Sequence, residues 1–272
     1  MAHSPIDTIV SDIGLRSWPP GCKLNAIATF ILVHGSFGGG WCWQRLAPLL
    51  EAAGHHVYRP TLTGLADRSH LLSSSVDLTT HINDVAKLLF YEDIDRAILV
   101  AHSYSGMVIT GVAQTVPRRV AQLIYFDAYV PQPGQSRWDL VPPEAAAAER
   151  EAVGADGGTG PPPPASIFVP IEAGTATWMD ARLSPRHPVG TYKQSLSADG
   201  SALDSISRAF IQCMLGPSRF GPSAAQARAS GWPVRELAAG HFAMLTHPRE
   251  VADLLLELAA EDVSGVSTGR KE

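Results

Sequence analysis

Short apolar runs alternate along this chain with longer stretches in which apolar residues recur at helical spacing. "TFILVHG" (29–35) is followed by an amphipathic stretch from Trp41 to Ala53. "HVYRP" (56–60) precedes a polar loop and a helical pattern from about Leu78 to Tyr91. "RAILVAH" (96–102) runs into a helical pattern from Tyr104 to Val116, and "QLIYFDAYV" (122–130) closes this half. Runs of this kind read as strands buried on both faces. Their alternation with helices of about ten or more residues predicts an α/β fold with a mostly parallel sheet covered on both sides.

The rhythm breaks at 131–206, a block rich in Pro, Gly and Ala. "EAAAAEREAV" (144–153) reads as a helix, and "GADGGTGPPPP" (154–164) as a mobile loop without regular structure. The alternation then resumes, with strands at 207–215 and 233–240 and helices from Ser223 to Ser230 and from Arg249 to Ala260. The expected organisation is a core of residues 1–130 and 207–264, an insertion over 131–206, and a flexible tail over 265–272.

Composition narrows the function. The formal net charge is −5 and no run of Lys or Arg occurs, so a nucleic-acid or anionic-membrane surface is not expected. The apolar stretch from Ala26 to Val33 is too short to span a bilayer, and the N-terminus, with Asp7 and Asp12, does not read as a signal peptide. Cys22, Cys42 and Cys213 lie far apart with no C-x-x-C pair. Reduced thiols in a cytoplasmic protein are therefore expected, rather than a disulfide scaffold or a zinc site.

In a parallel α/β sheet, ligands bind beyond the carboxyl ends of the strands. Four groups fall there: the segment His34-Gly35-Ser36-Phe37, then Ser103, Asp127 and His241. "AHSYSGM" (101–107) resembles a G-x-S-x-G elbow, although Ala101 and Ser105 replace its glycines and the glycine comes at Gly106. The elbow requires small residues at those two places, and it holds a serine above the sheet within reach of a base. The competing reading is a serine that merely caps the following helix. The backbone amides of Tyr104, at a helix start, and of Ser36, in a glycine-rich turn, are the candidate oxyanion donors.

His241 follows the last strand and is the candidate base. Its acid is unusual. No Asp or Glu occurs between Asp204 and Glu236, so the loop after the penultimate strand supplies none. Asp127, at the end of the strand after that of Ser103, is the candidate; the alternative is an aspartate satisfied by backbone amides. Ser103, Asp127 and His241 then stand in the chain order serine, acid, histidine.

With these residues, the chain resembles the α/β-hydrolase superfamily over nearly its whole length. "ILVHGSFGGGWCWQRLAPLLEAAGHHVYRPTLTG" and "GWPVRELAAGHFAMLTHP" resemble the branch of plant methylesterases, hydroxynitrile lyases and bacterial carboxylesterases that includes pyrethroid hydrolases. The resemblance implies a serine nucleophile at Ser103, a base at His241, oxyanion amides from Ser36 and Tyr104, and a cap formed by 131–206. The chain departs from that branch in its acid, which follows a pattern of other hydrolase branches. It also carries Phe242 where the lyases have a lysine, which argues against a lyase.

The expected activity is hydrolysis of a small hydrophobic or aromatic ester, with Phe37, Tyr104, Trp178 and Phe242 as candidate pocket walls. No metal or organic cofactor is expected. The partner is a small-molecule ester, and a homodimer is left open. A lactonase, an amide or carbon–carbon bond hydrolase, or a non-enzymatic ligand receptor on the same fold are the alternatives.

Overall fold

A computed structural model describes residues 27–168, 170–216 and 219–267, with side chains described as far as Glu261. The expectations for residues 1–26, including Cys22 and the N-terminal segment, and for the last five residues of the tail lie outside the described residues.

Strand β1 (Thr29–Val33) and helix α1 (Ala47–Ala52) are followed by β2 (His56–Tyr58), α2 (Leu78–Tyr91), β3 (Ala97–Ser103), α3 (Gly106–Thr115) and β4 (Val120–Ala128). Among its described residues the insertion contributes three short α-helices, α4 (Pro143–Glu151), α5 (Ala173–Asp180) and α6 (Gly190–Lys193), besides single 3-10 turns. The chain then adds β5 (Ser207–Cys213), α7 (Gly221–Ala229), β6 (Val234–Leu237), α8 (Ala243–Thr246) and α9 (Pro248–Ser267). All strands pair in parallel, in the order β2-β1-β3-β4-β5-β6. This is the α/β architecture that the alternating pattern predicts. Helix α9 runs beyond its expected end at Ala260 and into the expected tail.

The strand pattern follows from burial. In β3, residues Ala97 to His102 are all buried, because the two faces of the sheet belong to two separate apolar clusters. Leu99 and Ala101 face one cluster with α2 and α3, while Ile98 and Val100 face the other with α1 and α9. A strand buried on both sides has no polar alternation to show. Helix α2 starts where it does because of its cap: Asp77 Oδ1 accepts from Thr80 N–H at 2.9 Å, and Thr80 Oγ1 accepts from Asp77 N–H.

The sheet places the chemistry. The strand order reverses between β1 and β3, which is where a doubly wound sheet opens a crevice at its carboxyl edge. The loop after β1 and the turn after β3 flank that point.

Gly106 explains why the elbow's glycine arrives late. A Cβ there would stand 1.8 Å from the Tyr129 carbonyl oxygen, backbone that cannot move aside cheaply. The glycine lets α3 start directly against the end of β4. Gly106→Ala gains helix propensity of about 1 kcal/mol but overpacks against backbone, at a cost of about 3 kcal/mol. A net loss of about 2 kcal/mol in urea unfolding is therefore expected. A wild-type unfolding midpoint in that variant would show that the close approach is not needed.

Candidate active site

Ser103 ends β3 with φ +59°, in the left-handed region that a non-glycine residue seldom adopts. The turn is held by Ser105, which is fully buried. Its hydroxyl donates to the Val33 carbonyl at 2.7 Å and accepts from His102 N–H at 2.9 Å. Glycine could not make these bonds, so Ser105 ties the elbow to the neighbouring strand as well as being small. Opposite it, a Cβ on Gly35 would come within 2.8 Å of Ser103 Cβ, so only glycine lets the loop after β1 pass this close. Ser103 Oγ makes no hydrogen bond to any described residue.

Asp127 owes its direction to an irregularity of the sheet. His102 pairs with Phe126, but Ser103 pairs with Ala128, so Asp127 is the extra residue of a bulge. Its φ of +42° turns it out of the regular pleat. The carboxylate meets two donors. Oδ1 accepts from the Cys213 N–H at 3.3 Å, and Oδ2 lies 2.6 Å from His241 Nδ1. Ser103 and Asp127 thus stand at the carboxyl ends of the neighbouring strands β3 and β4, His241 reaches Asp127 from the loop after β6, and the His241–Asp127 pair is largely buried.

The His241 ring is enclosed by aromatic groups. Phe220 stacks on it at 5.1 Å, and His102 lies at 4.2 Å. His102 also donates from Nε2 to the His241 carbonyl at 2.9 Å, so it fixes both the backbone and one face of the imidazole. Burial, reinforced by the neighbouring His241, holds His102 well below the ordinary histidine range and therefore neutral. The sequence pattern assigned His102 only to the elbow; its contact to residue 241 crosses 139 positions and leaves no local signal.

A cavity of about 330 Å³ opens at this edge. Ser36, Phe37, Ser103, Phe168, His241 and Phe242 are among its walls. Of the expected pocket residues, Phe37 and Phe242 line it. Tyr104 and Trp178 do not. The Tyr104 ring is fully buried behind the elbow, with its hydroxyl 3.1 Å from His81 Nδ1, while its backbone N–H bonds to no described residue. Trp178 packs edge-on against Trp41 at 5.3 Å, with the Arg182 guanidinium 4.3 Å from its ring. Helix α5 thereby turns that indole away from the cavity walls.

Residues of the 131–206 insertion supply much of the rest of the cavity: Arg137, Glu149, Pro161, Leu183 and Tyr192. Arg137 pairs with Glu149, which also accepts from Trp138 Nε1 at 3.0 Å. The 154–164 loop forms no helix or strand, but Gly158 bridges Pro188, Thr159 N–H donates to the His187 carbonyl at 2.8 Å, and Pro161, Pro162 and Pro163 face the cavity. Cys42 and Cys213 are free thiols, and burial pushes Cys42 up to about 12. Among the described residues no group of three potential metal ligands converges, and no helix is long and apolar enough to cross a membrane.

Two further buried histidines support the site from below. His34 Nε2 accepts from Leu62 N–H and Nδ1 donates to the Gly35 carbonyl; His81 donates to the Thr63 carbonyl and accepts from the Tyr104 hydroxyl. Both rings are thus held as neutral tautomers, and burial lowers each to about 4. The unfolded chain takes up protons through the ordinary histidine value of 6.5, whereas the folded chain does so only near 4. Stability contributed by the neutral rings is therefore complete above pH ~6.5 and falls between pH ~6.5 and ~4, by about 1.4 kcal/mol per pH unit for each ring. Urea titrations at pH 7.5, 6 and 5 read this directly. Equal unfolding free energies at all three values would remove the buried neutral histidines from the account.

Comparison with known proteins gives a consistent picture. Residues 30–254 match the alpha/beta hydrolase family. The chain is 36% identical over 244 residues to a carbendazim hydrolyzing esterase of Nocardioides sp. (strain SG-4G), covering 85% of this chain and all of that one. It is 28% identical to Methylesterase 7 of Arabidopsis thaliana, covering 85% of this chain and 95% of the relative. Among solved structures, an extracellular alpha/beta-hydrolase from a Paenibacillus species superposes with a TM-score of 0.75 at 25% identity, covering 85% of this chain and 98% of the other.

Proposed function

Because the chain belongs to the alpha/beta hydrolase family and is a carboxylic ester hydrolase, we propose that it is a serine esterase working through an acyl-enzyme. The observation that carries this reading is the 2.6 Å contact of His241 Nδ1 with Asp127, beside Ser103 on one cavity. A carboxylate accepts only, so His241 carries its proton on Nδ1 and leaves Nε2 free to act as a base.

In the first half-reaction Ser103 Oγ attacks the ester carbonyl while His241 Nε2 takes the serine proton. The carbonyl oxygen becomes an oxyanion, held by the backbone N–H groups of Ser36 and Tyr104; one such donor contributes about 3–4 kcal/mol. Collapse of the tetrahedral adduct expels the alcohol, which receives the proton from His241. Water then repeats the sequence on the acyl-enzyme, releasing the acid and restoring Ser103. Asp127 holds the imidazole and offsets the charge it gains in each half.

The substrate class is a small hydrophobic or aromatic ester. A cavity of about 330 Å³ walled by Phe37, Phe168 and Phe242 supports it. So do the Nocardioides relative, named for carbendazim, and the methylesterases. Residues 131–206 act as a cap, consistent with the walls that Arg137, Leu183 and Tyr192 contribute.

An activity-based fluorophosphonate, followed by peptide mapping, tests the reading. It is expected to label Ser103 alone, and prior occupancy by an ester substrate is expected to slow labelling. An unlabelled Ser103 in folded protein that still cleaves esters would overturn it.

A further inference from the structure

We propose that Tyr192 is a positioning residue for the reaction, which sets the oxyanion amides by donating its hydroxyl to Ser36 Oγ. The proposal rests on the reading above, in which the amides of Ser36 and Tyr104 receive the oxyanion.

Tyr192 lies on α6, within the insertion and far in sequence from either oxyanion residue. Its hydroxyl is 2.6 Å from Ser36 Oγ. Burial raises the phenol above its ordinary value, so it stays protonated and is the donor. The same ring reaches Tyr104, with centroids 5.5 Å apart. One side chain therefore touches both residues whose amides face the developing charge.

The ring itself is held firmly. It stacks on His187 at 4.5 Å and 18°, and the Arg137 guanidinium lies 4.3 Å from its centroid. His187 in turn bonds Thr191 Oγ1 at 2.7 Å, which fixes the start of α6. Behind it, a Cβ on Gly190 would lie 2.5 Å from the Val76 carbonyl, so α6 is seated against the main chain before α2.

The loop after β1 needs such an anchor. "GSFGGG" (35–40) is four parts glycine, Phe37 sits at φ +60°, and Gly38 N–H reaches only Gly35 O, at 3.3 Å. A chain of this kind has wide conformational freedom, whereas an oxyanion donor is effective only within about 2.7–3.1 Å of its target. Two hydrogen bonds from the insertion restrain the loop, Tyr192 on Ser36 and Ser184 N–H on the Phe37 carbonyl at 2.8 Å, and the Phe37 ring packs edge-on against His187 at 5.7 Å. The first reaches the side chain of the very residue whose amide must be aimed.

Tyr192→Phe keeps the ring packing and removes only the donor; Ser36→Ala keeps the amide and removes only the acceptor. Each is expected to lower kcat about tenfold or more, a fraction of the effect of losing a whole donor, with KM within about twofold of wild type. The double variant is expected to be no slower than the slower single one, because both remove the same bond. Affinity for a trifluoromethyl ketone, which forms an oxyanion on the serine, is expected to fall in parallel with kcat/KM. Thermal midpoints, measured alongside, separate this from loss of fold, which would leave the inhibitor-to-substrate ratio unmoved.

A raised KM at unchanged kcat would make Tyr192 a substrate contact and overturn the proposal. So would multiplying effects in the double variant, or a wild-type affinity for the ketone. Fluorophosphonate labelling of the same preparations keeps the two readings apart. A labelled Ser103 with unaltered Tyr192→Phe kinetics removes only the positioning role; a wild-type Ser103 that does not label removes the mechanism beneath it as well.

Discussion

Ser103→Ala is expected to lower kcat for a p-nitrophenyl ester by about a millionfold, the scale seen when a serine nucleophile is removed from a working triad. The structure makes this a clean test. Ser103 Oγ holds no hydrogen bond among the described residues, so its loss strands no buried partner. Alanine meets the same left-handed backbone, at φ +59°, that serine already tolerates. The space beside its Cβ is kept open by Gly35, and alanine retains that Cβ without adding to it. Urea unfolding is therefore expected to stay within about 0.5 kcal/mol of wild type, as for a substitution that breaks no named feature. The residual rate reports what the oxyanion amides and binding achieve without a nucleophile, about a thousandfold or more over water. Turnover near the wild-type value, in protein purified free of host esterases, would exclude Ser103 as the nucleophile.

Much of the core was legible in the chain because its signals are local. Strands buried on both faces show as unbroken apolar runs, and α2 spans the residues its periodicity predicts because Asp77 and Thr80 cap it from within four positions. The elbow was half legible. Smallness at Ala101 and Ser105 could be read from the letters, but the bonds of the Ser105 hydroxyl to Val33 and the contact of Gly106 with Tyr129 depend on strands brought together by the fold. The insertion resisted further. Trp178 resembles a pocket wall in sequence, yet one turn of α5 sends it to Trp41 instead, and the periodicity of an eight-residue helix is too short to say which face looks inward. Tyr192, Arg137 and Phe220 carried no motif at all. Their importance comes from what they touch, and those contacts span long stretches of chain.

The acid is where sequence order and tertiary geometry meet most sharply, and Asp127→Asn tests it. In the wild type both donors that face this carboxylate are satisfied: Cys213 N–H on Oδ1 and His241 Nδ1–H on Oδ2. Asparagine has one oxygen and one NH₂ group. Its oxygen can accept from Cys213, whose backbone N–H cannot reverse. The NH₂ group then faces His241 Nδ1, which must accept, and the imidazole proton moves to Nε2. That nitrogen is then no longer a base toward Ser103. A fall in kcat of about 10⁴-fold is expected, the effect of the wrong tautomer with geometry otherwise kept. The fold is not expected to suffer, because asparagine is among the residues most tolerant of positive φ and position 127 sits at +42° in its bulge. The variant should also still bind substrate, so KM is expected to stay within about twofold. Fluorophosphonate labelling should slow in step with kcat, since Ser103 is present but no longer activated. Wild-type turnover in Asp127→Asn would exclude the tautomer argument. The histidine would then have to be oriented by some other group, such as the carbonyl-anchored His102 whose ring lies tilted 4.2 Å away, rather than by a carboxylate.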